Sequence, residues 1–176
     1  TIMFSVRKEN VTQYRNDNTS YGNLIRPLAS KIGVFDVHVE YTYSGGDYLR
    51  FESPGGVVSY QIHSDFHDEN QHITSTWELK NVSPGLQRGT GVLYVNGIEV
   101  GRISKDFYGG APSLNYPTSV NIGGVPEYRP DHSDRHTENC QIDQFVVFSS
   151  ALTGNAINRL VKKTMSYRDM VLSSKP

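Results

Sequence analysis

Apolar and polar residues alternate along much of the chain with a period of two, the signature of half-buried strands. Val37, Val39 and Tyr41 fall on one side of an extended chain, and His38, Glu40 and Thr42 on the other. Leu49 and Phe51 oppose Tyr48, Arg50 and Glu52. Val58, Tyr60 and Ile62 oppose Ser59, Gln61 and His63. Strands are predicted over 34–43, 47–52, 57–65, 72–80, 92–95, 98–104, 119–122 and 142–148. Gly45-Gly46, Pro54-Gly55-Gly56 and Pro84-Gly85 punctuate them. Asn96-Gly97 between two apolar runs predicts a two-residue hairpin with a type I′ turn, in which both residues need φ > 0. Residues 1–32 are polar and weakly patterned, with an edge strand over 2–6 and a turn-rich stretch over 16–21. A helix is expected over 153–164, with Thr153 as N-cap and Ile157, Leu160 and Val161 as its apolar face. The tail 165–176 is read as extended or packed along the surface. The whole, 1–176, reads as one all-β sandwich domain with a core over 33–164 and one short C-terminal helix.

The order of elements after residue 89 carries a resemblance. The hairpin Val92-Leu93-Tyr94-Val95-Asn96-Gly97 is followed by Asn121-Ile122-Gly123-Gly124. Then come Ile142-Asp143, Phe145-Val146-Val147-Phe148, Ala151-Leu152-Thr153 and a short helix from Ile157 to Leu160. This resembles the concanavalin A-like β-sandwich of the laminin G/pentraxin type over residues 35–160. Trp77 stands where that family has its Trp strand, and Cys140 stands where it usually has Gly. The resemblance implies a jelly-roll antiparallel sandwich. Such folds host many functions, so it implies little about the ligand.

The 176 residues suffice for one sizeable core. A formal net charge of -1 gives no field that favours nucleic acid or an anionic membrane, and no apolar run is long enough to span a bilayer. Cys140 is the lone cysteine, so no internal disulfide forms. Sequons occur at Asn10, Asn18 and Asn81. The chain opens at Thr1 with no Met and no signal-peptide pattern, which predicts a piece of a longer polypeptide or a mature product.

Two regions carry candidate chemistry. If the strands around 37, 49 and 60 pair as a meander, His38, Glu40, Tyr48, Arg50, Glu52, Gln61 and His63 share one polar face. Forked hydrogen-bonding groups beside an aromatic ring suit a sugar, which offers hydroxyls at its edge and C–H groups on its face. An ordinary solvated sheet face is the alternative. Gln61-Ile62-His63 also resembles the Gln-Ile-His strand of jelly-roll alginate lyases. There the His and a Tyr act as base and acid, while Gln and Arg neutralise the uronate carboxylate. The Arg-Ser/Thr-Glu-x-Arg and Tyr-x-Lys-Ala-Gly-x-Tyr stretches of those enzymes are absent from this sequence.

The second region comprises the rim loops. Residues 128–138 hold Tyr128, Asp131, His132, Asp134, Arg135, His136 and Glu138, and residues 107–116 set Tyr108 and Tyr116 around Gly109-Gly110. Asp131 and Asp134 offer oxygens of the type calcium takes. His132 and His136 would suit zinc only on a helix, against which Pro130 and Ser133 argue. Hydrated linking loops are the alternative. The leading expectation is a non-catalytic recognition module for a glycan or glycoprotein, without nucleic acid or membrane insertion, and with calcium as the one candidate cofactor. It would belong to an extracellular, cell-surface or virion attachment protein. Its contacts would be Tyr108, Tyr116, Tyr128, Asp131, His132, Asp134 and Arg135 first, and Arg50, Gln61 and His63 second. A polysaccharide lyase using His63 and a Tyr, and a structural domain making protein contacts, are the alternatives.

Overall fold

A computed structural model describes residues 1–8, 24–31, 33–41, 46–62, 70–111, 119–123 and 140–173. The elements are β1 (Ile2–Lys8), β2 (Leu24–Lys31), β3 (Phe35–Tyr41), β4 (Asp47–Ser53), β5 (Gly56–Ile62), β6 (Gln71–Ser83), β7 (Leu86–Val95), β8 (Ile98–Tyr108), β9 (Asn121–Ile122), β10 (Cys140–Val147) and α1 (Gly154–Ser173). They form two five-stranded sheets, paired antiparallel throughout. Sheet A has the order β10-β1-β6-β7-β8 and sheet B the order β5-β4-β3-β2-β9. The fold is an all-β sandwich with one helix, as the alternating pattern predicts.

The core between the sheets follows the period of two. Phe4, Ile73 and Leu93 from sheet A meet Val37, Leu49 and Phe51 from sheet B, all buried. Trp77 is half-buried and packs against this core. Gly89 makes room for it, because a Cβ there would fall 2.1 Å from the Trp77 ring. A smaller second core lies on the other side of sheet A. There Met3, Val92 and Tyr94 are covered by Ile157 and Val161 of α1.

The Asn96-Gly97 turn has φ of 51° and 80°, as a type I′ turn demands. It lies against the helix, where a Cβ on Gly97 would sit 3.2 Å from the Asn158 Cα. Thr153 caps α1 as expected, its Oγ1 accepting from the Ala156 N–H at 3.3 Å.

Several expectations need correction. β1 is not an edge strand but lies between β10 and β6. Its Ile2, Met3 and Phe4 are all buried, because one face meets sheet B and the other meets the helix-side core. Residues 24–31, read as irregular, form β2. Its register shifts between Pro27 and Ala29, which breaks the alternation. α1 runs on to Ser173, through the stretch read as a tail. Leu160 is exposed, since on a turn of 3.6 residues it falls to one side of the line through Ile157 and Val161.

Candidate functional site

The meander β3-β4-β5 builds one continuous polar surface on the outside of sheet B. Its register sets Glu40 beside Tyr48 and Tyr48 beside Gln61. It also sets His38 beside Arg50 and Asp36 beside Glu52. Ser30 of β2 stands opposite Asp36, and directly opposed residues share a face. Asp36, continuing the His38-Glu40 alternation by one step, and Ser30, in the unrecognised strand, were not among the residues the sequence singled out.

The β3 row of this surface is withdrawn from water, whereas the β4 row is half-buried and Gln61 is exposed. Asp36, Glu40 and Ser30 are buried and His38 is only 2% exposed. Charges taken from water need partners, and they have them. His38 Nδ1 lies 3.1 Å from Asp36 Oδ1, and its Nε2 lies 4.0 Å from Glu52 Oε1. Arg50, with 31% of its side chain exposed, makes an ion pair with Glu40 through Nε, without hydrogen-bond alignment. Its guanidinium stands 5.8 Å from the centre of the Tyr48 ring, within cation–π range. Gln61 is exposed at the margin.

A depression of about 300 Å³ opens at the Asp36–Glu52 end of this face, walled by Val34, Phe35 and Pro54 and bordered by Lys31. Its volume is at the low end of the roughly 300–1,000 Å³ typical of small-molecule sites.

The outer face of sheet A differs. Beyond the part under α1, it carries an exposed ladder of paired groups. Arg88 donates to both Asp106 oxygens at 2.6 and 2.9 Å. Arg102 donates to Glu99 at 2.9 and 2.7 Å, and Thr90 and Ser104 share a hydroxyl bond of 3.1 Å. The Arg88 hydrogen bond holds the Asp106 carboxyl below its ordinary range, and Arg102 does the same for Glu99. Burial pushes the Tyr94 phenol up.

Tyr108 ends β8 beside this ladder, opposite Leu86 and 81% exposed. It is therefore on the opposite side of the sandwich from Arg50 and Gln61, and the structure does not bring these expected contacts together. His63, Tyr116, Tyr128, Asp131, His132, Asp134 and Arg135 lie outside the described residues. Among the described residues, no three His, Cys, Asp or Glu side chains meet in a metal-holding group. No helix among the described residues is long and apolar enough to cross a membrane.

One buried pair has the look of a nucleophile and base. Ser5 Oγ lies 2.8 Å from His72 Nδ1 and donates to Gln144 Oε1 at 3.3 Å. Either atom of the Ser5–His72 contact can be the donor, depending on the imidazole tautomer. The pair ties β1 to β6 and to the β10 bulge, where Gln144 has φ of 55°.

The fold and face thus define a β-sandwich with a built polar surface and a small depression at its end. Compared with known proteins, the chain matches no family model and no curated sequence.

Proposed function

We propose that this domain is a non-catalytic recognition module of the concanavalin A-like, jelly-roll type, that it binds glycan, and that the outer face of sheet B is where it does so. The observation that carries the reading is the combination on that face of a Tyr48 ring, an Arg50 guanidinium beside it and an exposed Gln61 amide, in adjoining rows on one rigid meander. A ring for sugar C–H groups beside forked donors for hydroxyls is the chemistry glycan recognition needs. Binding without turnover is the preferred reading because Arg50 is held by Glu40. A lyase would need that guanidinium to neutralise a uronate carboxylate. An attachment role on an extracellular, cell or virion surface would suit such a module.

A domain that makes protein contacts is the second reading. It is favoured by Val146 and Val147 on β10 and Ile122 on β9, which are exposed apolar residues on strands that pair on one side only among the described residues.

A glycan array with and without chelator tests the proposal. Binding to at least one glycan is expected, weakened roughly fivefold to tenfold by Gln61→Ala. Failure to bind any glycan, or the appearance of unsaturated product absorbing in the near ultraviolet from uronate polymers, would contradict it.

A further inference from the structure

Glu40 and Arg50 sit at the middle of the Tyr48-Gln61 surface. Glu40 is buried and stands opposite Tyr48, while Arg50 stands opposite His38, the next outward residue of β3. Their ion pair runs through Arg50 Nε. That nitrogen is buried, whereas the side chain as a whole keeps 31% of its surface exposed. Among the described residues, no hydrogen bond uses the Arg50 Nη groups. The guanidinium is thus anchored at one end by Glu40, lies 5.8 Å from the centre of the Tyr48 ring, and keeps its Nη donors for a ligand.

Resting on the glycan reading above, we propose that Glu40 is the specificity-determining residue of this face: by holding Arg50 and cancelling its charge, it makes the site select uncharged sugars over acidic ones. Glu40 acts through Arg50, as a positioning residue. The Arg50 Nη groups donate to sugar hydroxyls beside the Tyr48 ring.

The preference follows from charge. An arginine without a counter-charge would favour a uronic or sialic acid, because a carboxylate takes two parallel N–H donors from a guanidinium. Glu40 removes that advantage, since its charge offsets that of Arg50 at direct contact. The neighbouring outward rows do not restore it. They add Asp36 and Glu52, and the two His38 nitrogens already face those carboxylates. An incoming carboxylate at Arg50 would meet Glu40 at short range in a place partly withdrawn from water, where like charges repel strongly. A sugar hydroxyl carries no charge and accepts from the Nη groups all the same.

The test is calorimetric titration of the whole chain with neutral hexose oligomers (glucan, mannan and galactan fragments), with hexuronate oligomers and with sialyllactose. At least one neutral oligomer should bind, and the acidic probes should bind at least about tenfold more weakly. That ratio is read on the unmodified chain and needs no variant. Glu40→Gln keeps the shape of the side chain and removes its charge. It should raise the affinity for acidic probes about tenfold and lower that for neutral ones severalfold, because the guanidinium is freed and loosened together. A purely structural role for Glu40 would weaken both classes alike, and circular dichroism checks that the variant folds. Arg50→Gln should weaken neutral binding severalfold and admit no acidic probe. Acidic probes binding the unmodified chain as tightly as neutral ones would overturn the inference and leave glycan recognition standing. So would a Glu40→Gln variant with the same ratio as its parent. Binding of no probe would overturn both.

Discussion

The outer faces of the two sheets are built from the same alternation of apolar and polar residues and end in opposite environments. On sheet A, the helix-side half is apolar and covered by Ile157 and Val161, and the rest is an exposed ladder in which Arg88 meets Asp106 and Arg102 meets Glu99. On sheet B, the β3 row of Asp36, His38 and Glu40 is polar and yet buried. A surface ladder of solvent-facing pairs adds little stability and discriminates little, because water and salt screen it. Charges held away from water are fixed in position, and fixed charges recognise ligands. Polar residues in a strand therefore show which face they take, not whether water reaches them.

The comparison can be broken at several points. The largest effect should come from the covered half of sheet A. Ile157→Ala should cost about 3 kcal/mol, because a fully buried side chain loses its transfer energy and leaves a cavity. Gly97→Val, at the turn beneath the helix, should cost about 2–3 kcal/mol. A β-branched residue is strained at φ of 80° and its Cβ would press on Asn158. Chemical denaturation measures both. An unchanged midpoint for Gly97→Val would mean that the turn is not type I′.

Arginine deletions sharpen the contrast directly. Arg50→Ala leaves Glu40 buried beside an empty place. It should cost about 2 kcal/mol, less than a wholly buried pair because Arg50 is partly exposed. Arg88→Ala should leave the melting temperature nearly unchanged. Equal losses from the two would show that the sheet B charges are as well hydrated as those on sheet A.

Much of this architecture was legible from the chain. The faces of β3, β4 and β5 follow from strict alternation, and the Asn96-Gly97 hairpin and the Thr153 cap follow from local backbone chemistry. Other parts resisted for physical reasons. β2 was hidden by Pro27, which a strand tolerates where its missing N–H is not needed. Among the described residues β9 pairs with Ala29 and Ser30, which leaves Pro27 outside that ladder. The run Ile2-Met3-Phe4 did carry the mark of an interior strand, apolar on both faces, but its place at the N-terminus suggested an edge.

The candidate site was half legible. Arg50, Tyr48 and Gln61 share the expected face, whereas the burial of Asp36, His38 and Glu40 depends on tertiary cover that periodicity does not encode. Tyr108 is exposed as a ligand contact should be, on the opposite side of the sandwich from Arg50.

The smallest predicted effect concerns Ser30. Ser30→Ala removes a buried hydroxyl that bonds to nothing, so the ligand-free domain should change by no more than about 0.5 kcal/mol, and in the stabilising direction. A clear loss of stability would mean that the hydroxyl is satisfied in the free protein.

The most direct test of the central claim is an amide shift map of the isotopically labelled domain during titration with neutral hexose oligomers. Signals of Ser30, Asp36, Tyr48, Glu52 and Gln61 should move together and saturate, while those of Arg88, Thr90 and Arg102 should stay in place. Shifts confined to the sheet A ladder and Tyr108, or no shifts at all, would contradict the assignment of recognition to the outer face of sheet B.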